Sequence, residues 1–193
     1  MITNLNDDWF PNPNFFVFNN KISSSQHGHE KSAHEFYNGD WRNNERSGYG
    51  TMTYANGDCY EGEWRDGSRN GRGTYNFKNG DTYNGSWEQD QIQGLGRIKY
   101  TNGDSYNGDW VHGAKHGNGL FQYSNGDCYE GEWRGSKRNG GGTYIWKTGE
   151  KYIGNWEDDF MEGEGQFIYA GKELNAVLRK GKVVTGNGQS HGF

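Results

Sequence analysis

From Tyr37 to Tyr169 apolar and polar residues alternate with a period of two. Tyr60, Gly62 and Trp64 fall on one face of an extended segment, and Glu61 and Glu63 fall on the other. Beyond a stretch read as a six-residue loop, Gly71, Gly73, Tyr75 and Phe77 again share a face, against Arg72, Thr74 and Asn76. Asn56-Gly57-Asp58 precedes the next such pair and suits a tight hairpin turn with positive φ. The pattern predicts two strands with one aromatic and one polar face, joined by a loop and linked to the next pair by the Asn-Gly-Asp turn.

The pair recurs at a fixed spacing. Tyr37, Tyr60, Tyr83, Tyr106, Tyr129 and Tyr152 lie 23 residues apart, each followed two residues later by Gly and two further by Trp. A Gly-x-Gly then follows in every unit, from Gly48/Gly50 to Gly163/Gly165. Six units result: 37–59, 60–82, 83–105, 106–128, 129–151 and 152–173. Glycine weakens a strand unless something large needs its space. Here each flanks a ring, so rings are expected to lie flat over neighbouring backbone. The predicted fold is all-β, an elongated single-layer antiparallel ribbon of six two-stranded, solenoid-like repeats. Residues 1–36 are read as an aromatic arm and polar linker, and 174–193 as a cap and tail. In the cap Leu174, Ala176 and Leu178 take the Tyr, Gly and Trp places in degenerate form, Val183-Val184 close a hairpin, and the tail from Gly186 is expected to be disordered.

Composition taken alone points elsewhere. Phe, Ile, Leu and Val make up about 14% of the chain, below the roughly 20% of ordinary cores, and mean hydropathy is −1.18. The template resolves the conflict, because it places 22 of the 31 aromatic residues and 23 of the 33 glycines. Net charge is −5, which argues against a nucleic-acid binder working through its whole surface. No apolar run reaches the roughly 18 residues of a membrane helix. Met1–Asp8 lacks the basic start of a secretory signal, and with only two cysteines the expected setting is reducing and cytoplasmic.

The Tyr-x-Gly-x-Trp, Gly-x-Gly and Asn-Gly-Asp pattern at this period resembles the MORN repeat (membrane occupation and recognition nexus). The resemblance implies a twisted antiparallel ribbon with an aromatic groove. Relatives occur beside lipid-kinase or methyltransferase domains, in membrane-junction proteins, in radial spokes of cilia and as cytoskeletal scaffolds. With no room for a second catalytic domain, the chain is expected to be a non-enzymatic scaffold or adaptor. Its expected place is a ciliary axoneme, radial-spoke-like, or another cytoskeletal assembly. The alternative is a phosphoinositide or membrane-surface adaptor.

The residues offer several candidates. An exposed groove for a helical or extended partner segment is expected along Tyr60, Trp64, Tyr83, Trp87, Tyr106, Trp110, Tyr129 and Trp133. Trp9, Phe10, Phe15, Phe16 and Phe18 lie outside the template and either cap the first repeat or dock a partner. Arg65, Arg69 and Arg72, and Arg134, Lys137 and Arg138, form basic loops three repeats apart and are the candidate contacts for anionic lipid. Solvated loops are the plainer reading. Cys59 and Cys128 also lie three repeats apart, too far to bridge. The histidines lack partners at metal spacing. Outward pairs such as Glu61/Glu63 and Glu130/Glu132 resemble paired catalytic carboxylates, but every strand of this kind carries polar residues there. No cofactor, metal, nucleic acid or catalytic residue is expected.

Overall fold

Type I′ turns fold each repeat back on itself. In repeat 2 the turn is Asp66-Gly67, with φ of 48° and 78°, and both central residues are left-handed again at Gln89-Asp90, His112-Gly113 and Asp158-Asp159. Such turns match the twist of the strands they join. In the computed structural model, which describes residues 35–184 and 190–191, the described residues form fifteen strands and no helix. β1 (Phe36–Arg42) and β2 (Glu45–Thr53) make repeat 1, and β3 (Cys59–Arg65) and β4 (Ser68–Asn76) make repeat 2. β5 (Thr82–Glu88), β6 (Gln91–Lys99), β7 (Ser105–Val111) and β8 (Ala114–Gln122) make repeats 3 and 4. β9 (Cys128–Arg134), β10 (Lys137–Ile145), β11 (Lys151–Glu157) and β12 (Phe160–Tyr169) complete repeats 5 and 6. β13 (Lys172–Arg179), β14 (Lys182–Val184) and β15 (Ser190–His191) follow. All lie in one antiparallel sheet in which each strand pairs only with its neighbours in sequence.

The all-β ribbon read from the sequence is therefore the observed one, with two changes in its turns. Where a six-residue loop was expected, the strands run on to a two-residue turn, and an irregular bulge around Gly71 (φ 69°) absorbs two extra residues, so that Glu63 lies opposite Asn70, Gly71 and Arg72. The Asn-Gly-Asp junction is the longer connection. Gly57 donates to the Tyr54 carbonyl and Tyr54 to that of Asp58, which leaves a three-residue loop with positive φ at Gly57 alone.

Both edges of the sheet are laced from repeat to repeat. Along one edge, carboxylates accept the backbone amides of the next junction: Asp58 from Lys78 (2.7 Å), Asp81 from Thr101 (2.9 Å) and Asp104 from Ser124 (2.7 Å). Along the other, the turn amides of Gly67, Asp90 and Gly113 donate to the carbonyls of Arg46, Arg69 and Ile92 in the preceding repeat. The cap is as read. Leu174, Ala176 and Leu178 pair with Phe167, Gly165 and Gly163 in the register of Tyr, Gly and Trp, and Leu178 is buried. Of the tail expected to be disordered, Ser190–His191 pairs with β14; its other residues, and Trp9, Phe10, Phe15, Phe16 and Phe18, lie outside the described residues.

Candidate partner-binding face

A line of glycines crosses the sheet in register, from Gly39↔Gly50 through Gly62↔Gly73 and Gly96↔Gly108 to Gly154↔Gly165. Over each strand pair lies the tyrosine two residues upstream. A Cβ built at Gly62 or Gly73 would run into the Tyr60 hydroxyl, and one at Gly96 into that of Tyr83. The hydroxyl then donates to the backbone, Tyr60 to the Glu63 carbonyl at 2.9 Å and Tyr129 to that of Glu132 at 3.0 Å. Trp64, Trp87, Trp110, Trp133 and Trp156 each stand on edge between two tyrosines. Trp87 lies 5.5 Å from Tyr83 of its own repeat and 5.2 Å from Tyr60 of the one before, both near-perpendicular. Its Nε1 donates to the Gly73 carbonyl, as Trp110 Nε1 does to that of Gly96.

This tiling corrects the expected groove. Tyr60, Tyr83, Tyr106 and Tyr129 have no exposed surface, and Trp64, Trp87, Trp110 and Trp133 are 4–6% exposed. They are the floor of the ring face and offer a partner almost no surface there. A single-layer sheet covers them because the rings of successive repeats lie over one another. Burial drives the pKa of these four tyrosines well above the ordinary phenol range.

Two further rows cover the floor. Five residues after each tryptophan come Arg46, Arg69, Ile92, Lys115, Arg138 and Met161. Across the I′ turn this position faces its own tryptophan, but the cation lies over the tryptophan of the next repeat. Arg46 is 4.4 Å from the Trp64 ring, Arg69 4.4 Å from Trp87, Lys115 4.5 Å from Trp133 and Arg138 4.2 Å from Trp156. The row carries a clear period of 23, but a cation beside a turn reads as solvent-facing until the turn is known to be two residues long. The second row is Tyr54, Phe77, Tyr100, Tyr123, Trp146 and Tyr169. Its first five rings are half-buried and Tyr169 is 64% exposed. Phe77 and Tyr123 lean on Tyr75 and Phe121, both at 4.6 Å. This row is the accessible aromatic lane. An open pocket of about 340 Å³ adjoins it, lined by Tyr75, Phe77, Trp87 and Ile92 with Arg69, Asp90 and His112 at its rim.

The basic loops do not form the expected clusters. Arg69 and Arg138 turn to the ring face, whereas register puts Arg65, Arg72, Arg134 and Lys137 on the other face. Arg69 pairs with Asp90 at 2.9 Å, Arg138 with Asp159 at 3.2 Å and Lys137 with Asp158 at 3.3 Å. The acidic loops of repeats 3 and 6 thus pair with Arg69 of repeat 2 and with Lys137 and Arg138 of repeat 5. On the same back face the second carboxylate of each Glu pair is engaged at the bulge, Glu63 accepting the Arg72 amide (2.8 Å) and Glu132 that of Gly141 (2.9 Å). Cys59 and Cys128 are free, half-buried thiols whose pKa burial raises. Among the described residues no three His, Cys, Asp or Glu side chains are grouped to hold a metal.

The MORN repeat model matches residues 37–59, 60–82, 83–105, 106–128, 129–151 and 152–172. The chain belongs to the MORN repeat family. Among curated proteins, none matches it. Among solved structures it is similar to the TCP domain of Drosophila melanogaster SAS-4 (dCPAP), in complex with a proline-rich motif of Ana2 (dSTIL). That likeness has 16% identity and a TM-score of 0.49, and covers 89% of this chain and 96% of that one. It is also similar to the TCP10 domain of Danio rerio CPAP in complex with a STIL peptide, with 13% identity, a TM-score of 0.26, and 75% and 82% covered.

Proposed function

We propose that the chain is a non-enzymatic scaffold that docks a protein segment along the lane of Tyr54, Phe77, Tyr100, Tyr123 and Trp146, within a ciliary or other cytoskeletal assembly. One observation carries the docking. Five half-buried rings run at one per repeat over a floor already closed by Tyr and Trp, so they are not needed to seal the core. A row of rings with one face free and a rigid backing is the kind of surface on which interface energy concentrates. The ciliary setting rests on the MORN resemblance alone. The membrane reading is weakened by the ion pairs of Arg69, Lys137 and Arg138.

The test is a pull-down with Tyr100→Ser/Tyr123→Ser/Trp146→Ser, checked for fold by circular dichroism. The docking reading expects its protein partners to be lost. Retention of all of them sinks it, and sedimentation with anionic vesicles that is abolished by salt would favour the membrane adaptor.

A further inference from the structure

Among the four cations over tryptophan rings, two are ion-paired with a carboxylate of the adjoining turn and, among the described residues, two are not. The residue 21 positions further on decides this. Asp90 Oδ1 accepts both the backbone amide (3.0 Å) and Nε (2.9 Å) of Arg69, and Asp159 Oδ1 does the same for Arg138 (3.0 and 3.2 Å). At Lys115 the residue is Ser136. Its hydroxyl still accepts the Lys115 amide (3.1 Å), so the backbone duty is kept while the charge is dropped. At Arg46 the residue is Gly67. Among the described residues no carboxylate lies within ion-pair distance of either.

Lys115 is half-buried on the ring face, its ammonium 4.5 Å from both the Phe121 and Trp133 rings. Burial lowers its pKa; the acids that act on it, Asp159 and Asp104, do so from beyond ion-pair range. A cation held this way is desolvated without being matched, and a carboxylate brought to it gains more than one at a solvated surface lysine. An anionic vesicle could not bring many headgroups to it, because the ammonium is sunk among rings. The row therefore runs unpaired cation, paired cation, apolar (Arg46, Arg69, Ile92) and then repeats (Lys115, Arg138, Met161). The two unpaired members lie three repeats apart, roughly 29 Å at six strand spacings. Between them, beside Ile92, the pocket opens.

We propose that the segment docked on the ring lane is acidic and amphipathic, with an Asp or Glu at the Lys115 ammonium, an apolar side chain in the pocket beside Ile92 and a second carboxylate at Arg46. The proposal rests on the docking reading above and supplies the chemistry of its partner. A helix of about twenty residues spans that distance.

The probe is a displayed library of random peptides of about twenty residues, selected on the full chain and then on Lys115→Glu. The selected wild-type binders should carry an Asp or Glu at a fixed offset from a bulky apolar residue, and Lys115→Glu should select Lys or Arg at that offset. Affinity for the wild-type binders should fall about tenfold in Lys115→Met, which keeps the packing on Trp133, and in Ser136→Asp, which supplies the acid from within. Binders that need Tyr100 and Tyr123 but show no acid preference, and bind these variants within twofold of wild type, would overturn the inference and leave the docking reading intact. A selection that yields no lane-dependent binder would overturn both. Sedimentation with phosphatidylserine vesicles that depends on Lys115 would overturn the inference in favour of a lipid surface.

Discussion

Trp110 donates its indole N–H to the carbonyl of Gly96, 14 residues earlier and in the preceding repeat, at 3.0 Å. The same bond joins Trp64 to Gly50 (3.1 Å) and Trp133 to Gly119 (3.2 Å). From repeat 2 to repeat 6 the Tyr-x-Gly-x-Trp tryptophan is thus hydrogen-bonded to one repeat and built into another, so these repeats do not close their own cores. Trp110→Ala should cost about 3–5 kcal/mol in denaturant unfolding, for lost burial and the cavity left behind. Trp110→Phe keeps most of the ring and should cost less, chiefly the lost bond, worth about 1 kcal/mol, and a smaller void.

The glycine line makes a sharper demand. A Cβ at Gly73 has no room beside the Tyr60 ring, whereas at Gly67 it would meet nothing within 4 Å and face only a positive φ of 78°. Gly73→Ala should therefore lower stability by about 2–4 kcal/mol through displacement of a buried ring. Gly67→Ala should cost nearer 1 kcal/mol, the price of a left-handed alanine. Thermal melts of the two variants check the ranking, and equal losses would contradict it.

The pH dependence has a defined sign. The backbone amide of Thr101 and the side chain of Asn79 hold the Asp81 carboxyl below its ordinary range, and the Ser124 amide does so for Asp104. A carboxylate whose pKa is lowered by folding contributes stability above its unfolded value, near 3.9, and loses it as pH falls toward the folded value. Buried tyrosines act at the other end, since their raised pKa favours the fold below about pH 10 and stops doing so above it. Melting temperature should thus be level from about pH 5 to 9 and fall on both sides. Absorbance at the phenolate band should show tyrosines that ionise only as the sheet unfolds.

The turn acids should be worth little in charge and more in geometry. Asp159 is 46% exposed, so its pairing with Arg138 is screened, yet its Oδ1 also holds the Arg138 amide. Asp159→Asn keeps an acceptor there and should cost under about 1 kcal/mol, whereas Asp159→Ala leaves the amide open and should cost more. Titrating salt should erase the Asn difference but not the Ala one.

Most of the fold was legible because its determinants are local and periodic. The alternation of Tyr60, Gly62 and Trp64 fixes the face, and the 23-residue spacing fixes the register. What the alternation cannot tell is which rings lie on top. Tyr60 and Tyr54 read alike in sequence, but the first lies over Gly62 and Gly73 and is fully buried, while the second is half-buried. That ordering depends on contacts between repeats, so the alternation alone points to the floor residues as the groove. The basic loops read as clusters for a related reason. Arg65 and Arg69 are close in sequence, but the two-residue turn at Asp66-Gly67 sends them to opposite faces.

The most direct measurement is site-specific photo-crosslinking in the native cell, with a photoreactive phenylalanine placed singly at Tyr100, Tyr123 and Trp146 and, on the back face, at Asn84, Arg97 and Glu130. A scaffold that docks a protein on the ring lane should give the same discrete protein adduct from all three lane positions and none of it from the back face. Adducts confined to the back face, or lipid adducts alone, would contradict it.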